Sequence, residues 1–184
     1  MVAKLGAEKI KSAFARIGQL LDTTFEVELL LIGSAAALVA GILDDSAIAT
    51  QDCDVLQYSP QDILGKIELL AETVGGELDL PKNWLNSDVQ IRLSPDMLPD
   101  GWESRKVAIG PFGKLKVFAV GRIDLIATKF LAHRPADLEH LESFKVTGDE
   151  RKFAERYLLE LGNKGESQAN IADALEVVKS WTVD

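Results

Sequence analysis

The tightest constraint on the fold is the run Val27–Ile32, apolar except for Glu28, which ends in Gly33-Ser34 and leads straight into the alanine-rich Ala35–Gly41. Successive side chains of a strand point to opposite faces, so a run this apolar has to be covered on both sides. It predicts a central strand of a layered sheet. It does not predict a membrane span, because Glu28, Gly33, Ser34 and Gly41 interrupt the stretch short of the roughly 20 apolar residues that a bilayer requires. The alanines favour a helix, which makes Gly33-Ser34 the junction between a buried strand and a helix.

The rest of the chain supplies layers for such a sheet. Ile10, Phe14, Ile17, Leu20 and Leu21 recur at helical spacing opposite Lys9, Lys11, Arg16 and Asp22, so residues 7–22 read as an amphipathic helix. Residues 42–50 read as a loop or a frayed helix end, and Asp52–Gln57 as a second strand. Ser59-Pro60 opens a helix carried by Ile63, Ile67, Leu70 and Val74 and stopped by Gly75-Gly76. Leu78 and Leu80 suggest a short strand, and Asp88–Leu93 alternates polar and apolar residues as a further one before Ser94-Pro95. Arg105–Ile109 and Leu115–Val120 flank Gly110-Pro111-Phe112-Gly113 and predict a β-hairpin. Beyond Gly121 the pattern is helical: Asp124–Ala132, a helix opened by Pro135, Glu150–Leu161 and Ser167–Trp181. The expected fold class is α/β (α+β), a single domain over 1–184 with a mixed β-sheet flanked by helices and 121–184 as a helical C-terminal layer.

Charge and cysteine content narrow the function. With 29 acidic and 20 basic side chains the formal charge is −9, the wrong sign for a protein that grips nucleic acid mainly through its phosphates. Lys114, Lys116, Arg105 and Lys106 on the hairpin are the candidate basic surface. A single cysteine rules out an internal disulfide framework and a cysteine-built zinc site. It fits a reducing compartment, and with no secretory signal in the first ten residues the expected location is cytoplasmic.

Two features carry chemistry. At Gly33-Ser34 the backbone N–H groups of a strand-to-helix junction can face a phosphate, glycine allows close approach and Ser34 adds a hydroxyl. Taken alone, the same pair fits an ordinary helix N-cap. Asp52 and Asp54, one residue apart on a strand, would send both carboxylates to one side with Cα atoms about 6.6 Å apart, and Cys53 to the other. Such a pair can clasp Mg²⁺, or Mn²⁺, against phosphate oxygens. Cys53 reads as a buried small residue rather than a nucleophile. His133 and His140, seven apart with no clustered cysteine, do not make a zinc pair. Trp84, Trp102 and Trp181 read as packing residues, with Trp84, beside Asn83 and Asn86, a weaker candidate for the border of a base pocket.

The segment Thr50-Gln51-Asp52-Cys53-Asp54-Val55-Leu56, placed after Gly33-Ser34, resembles the Thr-x-Asp-x-Asp form of the nucleotidyltransferase superfamily, in particular its minimal and abortive-infection (AbiEii-type) members. Arg122-Ile123-Asp124-Leu125-Ile126-Ala127-Thr128-Lys129, followed by Arg134-Pro135-Ala136-Asp137-Leu138, is similar to that group's Asp-Leu, Lys and Arg-x-x-Asp segment. The resemblance runs from about Leu29 to Leu141. It implies that Asp52 and Asp54 are catalytic metal ligands for attack on the α-phosphate of a nucleoside triphosphate, with Gly33 and Ser34 as the phosphate clamp. It further implies that Lys129 faces the triphosphate, with Arg134 and Asp137 nearby as nucleotide-binding residues. Taken without the resemblance, Lys129 reads as a solvated helical lysine and Arg134 with Asp137 as a surface ion pair.

The superfamily's third carboxylate is not on the hairpin, whose strands contain no acid. Asp88 is the expected catalytic substitute, with Asp79 behind it. The function expected is metal-dependent transfer of a nucleoside monophosphate from a triphosphate to a hydroxyl acceptor on RNA, protein or a small molecule. The alternative is a non-catalytic module of the same fold that binds a protein partner, such as one component of a toxin–antitoxin pair. A plain structural or oligomerising domain is the third reading.

Overall fold

The computed structural model describes residues 5–44, 46, 50–165 and 167–183. The expected loop over 42–50 therefore lies partly outside the described residues. In chain order the elements are α1 (Ala7–Leu20), β1 (Val27–Ile32), α2 (Gly33–Val39), β2 (Cys53–Ser59), α3 (Leu64–Glu77), β3 (Leu85–Asn86), α4 (Trp102–Arg105), β4 (Val107–Phe112), β5 (Leu115–Ala119), α5 (Arg122–Ala132), α6 (Pro135–Phe144), α7 (Gly148–Asn163) and α8 (Gln168–Ser180). The fold is α/β, with a five-stranded mixed sheet of order β3-β2-β1-β5-β4. The chain divides into two compact units: the described residues up to Asp96 together with Arg105–Val120, and Met97–Ser104 together with the described residues from Gly121 onward.

In the first unit β1 takes the central place that its apolar run demands. It pairs antiparallel with β2 on one edge and parallel with β5 on the other, and five of its six side chains are buried. A parallel neighbour requires a long connection, whereas β4 and β5 meet across a two-residue turn at Gly113-Lys114. That turn lies two residues later than the Gly-Pro segment suggested, because Gly110 and Pro111 stay in the strand, paired with Val117 and Lys116 after a register shift at Ile109.

Two expected strands are absent at the places assigned to them. Leu78 and Leu80 belong to the turn that ends α3, and Asp88–Ile91 is a 3-10 helix. The edge strand is instead the two-residue β3, parallel to β2. Trp84, just before it, is buried, donates its indole N–H to the Ala71 carbonyl at 2.9 Å and packs 5.7 Å from the Phe14 ring. A buried indole needs that acceptor, and this anchorage holds the short β3 in place.

Ile10, Ala13, Phe14 and Ile17 form the buried stripe of α1. Each fully buried large side chain contributes about 1.5–3 kcal/mol. Gly18, one residue beyond Ile17, lets the helix backbone close on the hairpin: a Cβ there would lie 2.0 Å from the Phe112 carbonyl oxygen. In the second unit α5 packs on α6, α7 and α8. The capping box Thr147/Glu150 opens α7, with Glu150 also holding Arg122 at 2.7 Å.

Alanine at an interior helical glycine ordinarily stabilises by about 0.5–1 kcal/mol. At Gly18 the backbone clash outweighs this, so Gly18→Ala is expected to lower stability by about 1–3 kcal/mol in urea melts. A gain in stability would show that α1 does not lie against the hairpin as described.

Candidate active site

In the first unit the candidate residues Gly33, Ser34 and Asp54 gather at the carboxyl end of β1. Ile32 ends the strand with extended backbone, and α2 starts at Gly33 itself, two residues earlier than the alanine run suggested. Gly33 has φ +80°, a conformation that side chains with a Cβ adopt only at a cost. Ser34 thus sits inside the first turn of α2 rather than at its N-cap, which is Ile32.

A bulge brings Asp54 to this turn. Leu30 pairs with Gln57 but Leu31 pairs with Val55, so Leu56 is the extra residue. Unbroken pairing from Leu30 would set Leu31 opposite Leu56 and Asp54 opposite Gly33. The shift sets Asp54 opposite Ile32 instead and moves its side chain to the other face of the ladder, the re-aiming that a bulge accomplishes. It also explains why Val55 and Leu56 are both buried where strict alternation predicts one of them outside.

The outcome is a close approach. The Asp54 carboxylate oxygen Oδ2 lies 3.2 Å from the point where a Cβ of Gly33 would be. Asp54 is half-buried, while Asp52, one residue ahead of β2, is exposed. The Thr50 hydroxyl donates to the Asp52 carbonyl at 2.9 Å, and the Cys53 N–H donates to the Trp84 carbonyl at 2.6 Å. These bonds fix the backbone on both sides of Asp52. Cys53 is fully buried; burial, then the charges of Asp54 and Asp52, push its thiol well above the usual range, which removes it as a nucleophile.

β3 adds a residue that sequence reading did not assign to the metal-binding constellation. Asn86 pairs in register with Asp54, and its Oδ1 accepts the Asp88 N–H at 3.0 Å. Asp88 itself is exposed at the start of the 3-10 turn, and Gln90 in that turn donates to the Val55 carbonyl at 3.0 Å. Asp79 occupies the left-handed turn after α3, where its carbonyl accepts from Lys9. Among the described residues no group of three or more His, Cys, Asp or Glu converges as a metal site.

The second unit holds Lys129, Arg134 and Asp137 together. Pro135 restricts the preceding Arg134 to extended backbone and starts α6 at its first position. With His133 left-handed at φ 36°, α6 follows α5 after only two residues. Lys129 and Asp137, both buried, form an ion pair at 3.2 Å, and Arg134 donates to the other Asp137 oxygen at 2.6 Å. The pair is therefore internal, not the solvated contact that spacing alone suggested. Burial alone would raise the Asp137 carboxyl, but the Arg134 hydrogen bond and the charges of Lys129 and Arg134 outweigh it and hold the group below the usual range. His140, one turn beyond Asp137, places Nδ1 3.0 Å from the Lys129 ammonium. The signal for it was the i, i+3, i+6 series Arg134, Asp137, His140, which a search for zinc ligands passes over.

A family model described as a nucleotidyltransferase of unknown function (DUF6036) matches residues 8–150. The chain belongs to that family. No curated protein and no solved structure matches it. The span matched by the nucleotidyltransferase model contains Gly33, Ser34, Asp52, Asp54, Asn86, Asp88, Lys129, Arg134, Asp137 and His140, and leaves out α8. No described helix is long and apolar enough to cross a membrane.

Two substitutions test this geometry. Gly33→Ala forces an L residue into the left-handed region at about 1–2 kcal/mol and presses its methyl on Asp54, so a stability loss of that size is expected in thermal melts. Asp137→Ala strands a buried ammonium and is expected to cost about 3–5 kcal/mol, whereas replacing Lys129 and Asp137 together by Met and Leu recovers most of it. Equal losses in the single and double variants would show that Lys129 and Asp137 are not coupled.

Proposed function

We propose that this family member transfers a nucleoside monophosphate from a nucleoside triphosphate to a hydroxyl acceptor, using Asp52 and Asp54 to hold a divalent cation. The observation that carries the reading is the Asp54 carboxylate against Gly33: the same turn puts an anionic oxygen donor and open backbone together. The donor set suits Mg²⁺ or Mn²⁺, which accept a pair of carboxylates and complete their shell with phosphate oxygens and water. When bound, the cation would neutralise charge on the triphosphate.

The chain's own residues have distinct tasks in this reading. Gly33, lacking a Cβ, admits a phosphate to the backbone of the turn, and Ser34 places a hydroxyl beside it. Thr50 and the Trp84 carbonyl hold the strand entrance so that Asp52 and Asp54 keep their relative placement. The acceptor oxygen bonds to the α-phosphorus and its hydroxyl proton passes to solvent, as the bond from the α-phosphorus to the bridging oxygen breaks and pyrophosphate leaves. Because no three acids converge among the described residues, Asp88 is proposed as a catalytic carboxylate that is not itself a ligand of the cation, on a turn fastened to β2 through Gln90 and Asn86. Lys129 and Arg134, which share the Asp137 carboxylate, carry the sign of charge a triphosphate needs; with Asp137 they are the proposed nucleotide-binding residues of the second unit.

The hairpin favours an acceptor other than a polyanion. Lys116 pairs with Glu26 at 2.6 Å, and Lys106 lies 3.9 Å from Glu28 and 4.0 Å above the Phe118 ring. Much of the basic surface considered from sequence is thus compensated by acids on or beside β1.

The test is transfer of label from each α-labelled nucleoside triphosphate, with Mg²⁺ or Mn²⁺, to total protein, RNA and small molecules of a cell extract. Asp54→Asn, folded by circular dichroism, is expected to lower incorporation at least about 100-fold. Incorporation unchanged in that variant would overturn the assignment of Asp54. Nucleotide binding without any transfer would favour the non-catalytic, partner-binding alternative.

A further inference from the structure

We propose that His140 is a positioning residue for Lys129: its Nδ1 accepts a hydrogen bond from the ammonium, and a proton taken up at that atom releases Lys129 from its place between Asp137 and the ring. The inference concerns the charge cluster of the second unit and stands whether or not the chain transfers nucleotides.

Lys129 projects from α5, and Asp137 and His140, three apart on α6, share the helix face that meets it. The ammonium lies 3.2 Å from Asp137 Oδ1 and 3.0 Å from His140 Nδ1. An ammonium has donors only, so Nδ1 has to be the acceptor and the ring proton has to sit on Nε2. A proton on Nδ1 would set two donors face to face in a part-buried place. The hydrogen bond and that proton exclude one another.

The charged groups around the ring are Lys129 from α5, Arg134 from the cap of α6, and Asp137 and Glu139 from α6 itself. The two cations oppose a positive ring and the two carboxylates favour it. Burial is the largest influence and opposes it too, so the ring stays neutral to lower pH than an ordinary histidine. Asp137, already committed to Lys129 and Arg134, has its oxygens engaged by two cations. A third positive charge therefore displaces Lys129 rather than joining the pair.

The linkage has a definite sign. The folded chain binds the His140 proton more weakly than the unfolded chain, so stability falls as pH drops through about 6.5 toward the folded midpoint. The depressed carboxyls of Asp137 and Glu150 act in a separate and more acidic window.

The experiment uses long-range ¹H–¹⁵N NMR correlations on the uniformly ¹⁵N-labelled full chain. Its two histidines give two ring systems, which His133→Asn assigns. The expected result is the Nε2–H tautomer for His140 with a midpoint below 6.5 that rises in Lys129→Met, because one of the two opposing cations is gone. A His140 ring found as Nδ1–H, or titrating at or above 6.5 in the wild type, overturns the proposal. Thermal melts between pH 7.5 and 5.5 provide a second readout. His140→Asn, whose amide oxygen can replace Nδ1 without titrating, is expected to keep the pH 7.5 melting temperature and lose the acid slope, whereas His140→Leu lowers the temperature at both pH values. A slope unchanged in His140→Asn also overturns it. A chain with the His140 signature but no transferase activity keeps this inference and loses the nucleotidyl reading; the reverse pattern loses only this inference.

Discussion

One conformational demand organises the first unit: the chain must leave a fully paired, buried strand and enter a helix with no residue to spare. β1 has neighbours on both edges, so it cannot shift in register without disturbing β2 and β5 together. Gly33 meets the demand with a left-handed backbone. The same absence of a Cβ leaves the volume that Asp54 Oδ2 approaches. Backbone freedom and site geometry are thus one property of one residue. The bulge at Leu56 serves the same end from the partner strand, because a carboxylate that faced the other way would be driven into the core.

The second unit solves a different problem, the burial of a lysine. Removing an ammonium from water costs several kcal/mol unless a partner and further hydrogen bonds recover it. Here the recovery is local in sequence. Lys129, Arg134, Asp137 and His140 all fall within twelve residues, and Pro135 with the left-handed His133 folds α6 directly onto α5. The tight connection brings two acceptors, Asp137 and His140, to the same ammonium.

What could be read from sequence follows from these constraints. β1, α1 and the α5–α6 break were legible because apolar periodicity, alanine content and X-Pro stereochemistry act through neighbours in the chain. Gly33, Ser34, Asp52 and Asp54 were legible as types at a spacing, but not the bulge that sets Asp54 opposite Ile32, since Leu56 looks like any strand leucine. β3 was misplaced because two residues carry no period, and its position depends on Trp84 reaching the Ala71 carbonyl, a contact across 13 residues. Asp88–Leu93 alternates as a strand does, yet Asn86 Oδ1 captures the Asp88 N–H and turns the chain into a 3-10 helix, a local side-chain competition that hydrophobic pattern does not register. His140 was visible only as a histidine; its role depends on an ammonium eleven residues earlier.

The charge distribution gives the two units a common logic. A chain of formal charge −9 presents a repulsive field to an anionic ligand, so any positive charge that serves binding has to survive the acids around it. At Lys116 and Lys106 it does not survive, because Glu26 and Glu28 answer them. At Lys129 and Arg134 two cations share the Asp137 carboxylate, and a neutral imidazole supplies the ammonium with a further acceptor without adding a negative charge. Histidine in that position satisfies the hydrogen bond without spending the charge, and it is the only common side chain whose acceptor nitrogen can be withdrawn by a proton near neutral pH. The choice of imidazole over carboxylate therefore adds no negative charge to the cluster and makes its geometry conditional on pH at the same atom.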